Sequence, residues 1–143
     1  MIPELVKSGD ATQSVRFYAV FDDNFGDRRA PFFIHWFTRP RFRHVYLLLP
    51  AKIGTLIVNP LAGGIRVDWA PFDPAACALA CVEAGLVVAE GDTKINLCYK
   101  WRGLITCVSV VKALIGLNDW RIITPYQLYR RLANEQPIQP MPS

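Results

Sequence analysis

Two runs of strand-forming residues, Arg43–Leu49 (RHVYLLL) and Ile53–Asn59 (IGTLIVN), are separated by Pro50, Ala51 and Lys52 alone. So short a connector forces the second run back alongside the first, because parallel neighbours need a crossover of a dozen or more residues. An antiparallel hairpin is therefore predicted at the centre of the chain. Pro60 and the glycines Gly63 and Gly64 then close the second run and turn the chain into Ile65–Trp69 (IRVDW), a third strand of one meander.

The flanks supply further elements. VRFYAVF, residues 15–21, is β-branched and aromatic and ends in the turn-rich DDNFGD, which predicts a first strand and a loop. Pro31–Thr38 (PFFIHWFT) reads either as a short helix opened by proline or as an irregular aromatic plug, stopped by Pro40. Asp73 and Pro74 open an alanine-rich helix that runs to about Ala84 and ends at Gly85. Leu86–Glu90 follows as a short strand. A nearly all-apolar helix begins near Leu104 or Thr106 and ends at Ile115 with Gly116 as its cap, a pattern that belongs in the interior. A last helix starts at Thr124, Pro125 and Gln127, which spell a capping box, and turns Leu128 and Leu132 inward.

The expected fold is α+β: an antiparallel sheet of about four to five strands packed against helices. At 143 residues, 52% of them hydrophobic and 20% charged, the chain has the size and composition of one core-bearing domain, which excludes intrinsic disorder. That domain is assigned to residues 1–134. The tail, 135–143, has three prolines in its last seven residues and reads as a loose arm.

Composition also limits the functions. The longest apolar stretches, Ala75–Ala89 and Leu104–Leu117, carry Glu83 and Lys112 and fall short of the roughly 18–20 residues that cross a bilayer. Met1–Asp10 has acidic residues and no apolar core, so it is not a secretory signal, and a cytoplasmic setting is expected. Cys77, Cys81, Cys98 and Cys107 all sit in apolar surroundings and are expected as buried thiols. No metal-ligand spacing joins them to the two histidines, so neither metal nor other cofactor is expected. Five arginines lie between Arg28 and Arg43 among Phe32, Phe33, Trp36, Phe37 and Phe42. Phosphate contacts with base stacking is one reading of that mix; a solvated rim over an aromatic cluster is the favoured one, and nucleic acid ranks last among the partners.

One constellation carries chemistry. A cysteine is nucleophilic at neutral pH when a helix N-terminus or an imidazolium stabilises its thiolate, and Cys107 stands where the buried helix begins. Of the two histidines, His44 opens a strand after a basic loop, whereas His35 is embedded among aromatic residues; His44 is the expected base. An imidazole base needs a polar group to set its tautomer, and Asn59, closing the next strand, lies opposite His44 if the hairpin pairs symmetrically about a two-residue turn. Each residue also has an ordinary role, as core thiol, surface ring and turn former. The coincidence of the three carries the functional reading.

That order, a histidine starting a strand (RHVYLLL), a polar residue ending the next (IVNP) and a cysteine opening a helix (LITCVSVVKALIGL), resembles circularly permuted papain-like domains of the NlpC/P60 superfamily. CVSVVKALIGL followed by TPYQLYRRL also looks like small uncharacterised proteins of tailed bacteriophages. The resemblance spans roughly residues 40–132 and implies Cys107 as nucleophile, His44 as base and Asn59 as the orienting residue. It implies a thiol-dependent amidase, peptidase or acyltransferase acting on a peptide, peptidoglycan or acyl substrate, or on a virion protein. The chain departs from the lecithin:retinol acyltransferase-like branch in having Thr106 before the cysteine and asparagine in place of a second histidine. A non-enzymatic virion or assembly protein, docking through the Arg28–Arg43 face and the proline tail, is the alternative.

Overall fold

The computed structural model describes residues 14–23, 39–61, 64–93 and 106–135. Within them lie five strands: β1 (Val15–Asp22), β2 (His44–Pro50), β3 (Thr55–Leu61), β4 (Gly64–Ala70) and β5 (Val87–Thr93). They form one sheet in the order β4-β3-β2-β1-β5, and every neighbouring pair is antiparallel. Three helices accompany them, α1 (Pro74–Glu83), α2 (Cys107–Ile115) and α3 (Pro125–Glu135). The fold is α+β, and the meander β2-β3-β4 is the one predicted. The segment Pro31–Thr38, His35, Cys98 and the proline tail lie outside the described residues.

Alternation along the strands divides the core into two layers. Phe17, Ala19 and Phe21 of β1, Val45, Leu47 and Leu49 of β2 and Val58 of β3 face α2 and α3, where they meet Val108, Val111, Ile115, Leu128 and Leu132. Val20 and Leu48 face the other way with Tyr18, Tyr46 and Ile57, against Ala78, Cys77 and Cys81 of α1. The central strands β1 and β2 are thus covered on both sides. Complete burial of a side chain such as Phe21 or Leu47 stabilises the fold by about 1.5–3 kcal/mol, so this double layer anchors everything attached to β2.

Local signals account for most element ends. Thr106 Oγ1 accepts from the Ser109 N–H at 3.1 Å while Ser109 Oγ accepts from the Thr106 N–H at 2.7 Å, a closed capping box one residue ahead of Cys107. Gly116 ends α2 at φ 72°. The box predicted at the last helix is present too: Gln127 N–H donates to Thr124 Oγ1 at 3.2 Å, and Thr124 N–H to Gln127 Oε1 at 3.1 Å. Asp73 takes the N-cap position of α1, but its side chain makes no capping bond.

Three boundaries differ from expectation by two residues or more. The second hairpin strand begins at Thr55, not Ile53, because Gly54 adopts φ 82° within the turn and its C=O accepts from the Ala51 N–H at 3.1 Å. Pro60 lies inside β3, which continues to Leu61 paired with Gly64. β5 runs on past Glu90 to Thr93, tied along its length to β1.

Candidate active site at the end of the central hairpin

The Ala51–Gly54 bond sets the phase of the β2–β3 ladder. Hydrogen-bonded pairs recur every second residue from there: Ala51 with Gly54, Leu49 with Leu56, Leu47 with Val58. The next would be Val45 with Pro60. Proline has no N–H to return to the Val45 C=O, and the paired register stops at Leu47–Val58. The two strands part at the end where β2 begins.

His44 and Asn59 stand at this opening. His44, the first residue of β2, is 4% exposed. Its Nε2 lies 2.6 Å from Asn59 Oδ1, so the ring donates Nε2–H to the amide oxygen. In the neutral tautomer so fixed, Nδ1 is the basic nitrogen. The register differs from the symmetric one expected: continued by one pair it sets Asn59 opposite Tyr46, and Asn59 reaches His44 along the diagonal. The two-residue offset follows from the turn, which takes in Lys52 and Ile53 with Ala51 and Gly54 as the closing pair.

Cys107 is the first residue of α2 and is partly buried among the residues of the α2 and α3 layer. Burial pushes its thiol above the ordinary range. The backbone N–H groups of Val45, Val108 and Cys107 itself pull the other way, and the Asp22 carboxylate adds to the upward push. Val45 follows His44 directly, so the sulfur is held at the peptide next to the expected base. It occupies the place where β2 lacks its regular partner in β3. Val45 and Pro60 complete this geometry; sequence reasoning missed both, although Pro60 after IVN is the visible trace of the broken ladder.

The pleat sets a condition on any dyad. His44 shares its face with Tyr46, their ring centroids 6.4 Å apart, and that face belongs to α1. Cys107 approaches from the face of Val45, Leu47 and Leu49. The structure therefore brings the side chains of His44 and Asn59 together and delivers the Cys107 sulfur to the same strand end from the other side of the sheet. Further along the α1 face, Tyr46 Oη lies 3.8 Å from Cys81 Sγ, and burial, then Cys81, push the phenol far up.

Two arginines in the described part of the basic loop, Arg39 and Arg41, are engaged internally, while Arg43 Nε is buried without a hydrogen-bond partner among the described residues. The Arg39 guanidinium lies 4.1 Å from the Tyr126 ring centroid, and Arg41 Nη2 donates to the Gly85 C=O at 2.9 Å. Phe42 packs against Phe21, Tyr126 and Tyr129. This is the arrangement of a rim over an aromatic cluster; Arg28 and Arg29 lie outside the described residues.

Cys77, Cys81 and Cys107 are free thiols. Among the described residues no group of three or more His, Cys, Asp or Glu side chains is placed to hold a metal ion, and no helix is long and apolar enough to cross a membrane.

Fold and site together define an α+β protein with a histidine–asparagine pair and a cysteine at the first position of a helix, at one end of an antiparallel hairpin. Comparisons with protein-family models, with curated proteins and with solved structures return no match.

Proposed function

We propose that the chain is a thiol-dependent hydrolase or acyltransferase acting through Cys107, His44 and Asn59. The observation that carries this reading is the 2.6 Å bond from His44 Nε2 to Asn59 Oδ1 at the strand end that also supplies the Val45 N–H to the Cys107 sulfur. An imidazole held by an amide oxygen at Nε2 offers Nδ1 as the base, the role the third member of a triad secures.

The reaction runs in two halves. The thiol proton passes to His44 Nδ1 as the sulfur attacks an amide or ester carbonyl. The C–N or C–O bond then breaks, and the imidazolium returns that proton to the leaving amine or alcohol. In the second half His44 takes a proton from water, or from an acceptor hydroxyl or amine, which attacks the thioester and restores the free thiol. The Cys107 and Val108 N–H groups at the start of α2, which act on the sulfur, are the donors that would stabilise the oxyanion.

The placement of sulfur and ring on opposite sides of β2 requires the two to meet around the open end of the ladder, beyond Val58, where no β3 rung intervenes. A peptide, peptidoglycan or virion-protein substrate in a host cytoplasm or virion, and kinship with permuted papain-like domains, belong to this same proposal and rest on the sequence resemblance.

The test is the alkylation of Cys107 by iodoacetamide from pH 5 to 9, followed by mass spectrometry in the native chain, His44→Ala and Asn59→Ala. The expected result is alkylation that rises only above the ordinary thiol pKa of about 8.5, as the raised thiol requires, and that is slower at every pH without His44 and without Asn59. A profile that is the same in all three chains overturns the reading and leaves Cys107 as a core residue.

A protein-docking role is the second reading, and β4 favours it. Ile65, Val67 and Trp69 on that strand are each at least half exposed.

A further inference from the structure

β4 is an outer strand of the sheet, and its two faces differ in kind. Ile65, Val67 and Trp69 alternate along it, exposed by 50%, 58% and 56%. The register sets them beside Pro60, Val58 and Leu56, on the face that α2 covers further in but does not cover here. Arg66 and Asp68 occupy the other face, where Arg66 Nε lies 2.8 Å from Asp68 Oδ2 in a pair open to solvent.

The phase of the ladder shows which backbone groups are unused. Gly54, Leu56 and Val58 point their hydrogen-bonding groups at β2, so Thr55, Ile57 and Asn59 point theirs at β4. Their β4 partners Ala70, Asp68 and Arg66 are thereby bonded inward. Ile65, Val67 and Trp69 direct N–H and C=O outward, along an edge that no described strand covers.

We propose that this edge pairs antiparallel with β4 of a second copy of the chain, about a two-fold axis at Val67. Val67 then faces its own counterpart and Ile65 faces the partner's Trp69, both as hydrogen-bonded pairs. Arg66 falls opposite the partner's Asp68, and Asp68 opposite the partner's Arg66, as the closely spaced pairs between them. The sequence IRVDW is self-complementary about its centre in both charge and bulk, which an isologous interface requires. A two-residue slip one way sets Arg66 opposite the partner's Arg66 and Asp68 opposite the partner's Gly64, and the other way sets Asp68 opposite the partner's Asp68 and Arg66 opposite the partner's Ala70; either slip loses both ion pairs. The backbone bonds and the joined apolar stripes hold the dimer; the charges select its register. Two five-stranded sheets become one of ten strands, with the six apolar side chains lining a floor between the two α2 helices.

Sedimentation velocity on the full chain and on two charge-reversed chains tests this. Arg66→Asp leaves only carboxylates on this face, and Asp68→Arg only guanidiniums, so each variant alone places like charges opposite one another. Each is expected to dimerise on the order of tenfold more weakly than the native chain. An equimolar mixture of the two restores opposite-sign pairs and is expected to form a heterodimer of near-native affinity, which also shows that both variants are folded. A native chain that stays monomeric overturns the proposal. So does a dimer that tolerates both reversals, or a mixture that behaves as the sum of its parts.

Discussion

The ring of Phe17 fills the space where Gly91 lacks a side chain. The two residues are partners across β1 and β5, and a Cβ at position 91 would stand 2.6 Å from Phe17 Cζ. Phe17 is buried in the α2 and α3 layer, and the aromatic ring cannot bend away from Gly91 without turning at χ1 or χ2. Gly91→Ala is therefore expected to destabilise the protein by about 1–3 kcal/mol through overpacking. Thermal melts of Gly91→Ala alone and combined with Phe17→Leu check this: the smaller partner should recover part of the loss, and additive losses would count against the contact.

The capping box at α2 predicts a loss of similar kind. Thr106→Ala removes the oxygen that receives the Ser109 N–H and is expected to lower stability by about 0.5–2 kcal/mol, measurable by urea titration. Thr106 also sets the first turn that carries Cys107, so the same variant should alter the alkylation rate of that thiol. An unchanged rate at reduced stability would separate the cap from the site.

Asn59→Ala withdraws the acceptor from the Nε2–H of a nearly buried ring. The expected loss is about 1–3 kcal/mol, because the desolvated N–H no longer makes this bond. Asn59→Gln and Asn59→Ala compared by urea titration test whether the diagonal geometry matters. Equal stabilities of all three chains would show that the bond contributes little.

Cys107 gives a pH dependence whose sign follows from burial. Its folded thiol pKa is raised, so above the unfolded value of about 8.5 the folded chain binds more protons than the unfolded one. The contribution is fully present below that value and is lost as pH rises toward the folded pKa. Melting temperatures of the native chain and Cys107→Ala, measured from pH 7 to 10, should therefore converge as pH rises. Parallel curves would mean that the thiol titrates alike in both states.

The sequence made the central hairpin legible because three residues between two strand runs admit one arrangement. The caps at Thr106, Gly116 and Thr124 were equally legible, since each rests on hydrogen bonds within a single turn. Facing was not. β2 is covered on both sides, so Val45, Tyr46, Leu47, Leu48 and Leu49 are all apolar, and no period-two contrast indicates which way His44 points. The position of β5 beside β1 depends on a pairing some 70 residues apart in the chain, which no local pattern encodes. Asn59 was found as the partner of His44 although the register expected was two residues off, because long side chains meet along the diagonal as well as directly across.

Pro60 contributes no side-chain chemistry, yet it removes the donor that the Val45 C=O would meet in β3. Any other residue there would bring an N–H to the Val45 C=O, and β3 could close one rung further toward His44. The amide that now meets sulfur would then be drawn into the ladder. A seam left unfastened at one end of the hairpin leaves the Val45 N–H to the thiol, and an amide hydrogen at position 60 would compete with that arrangement.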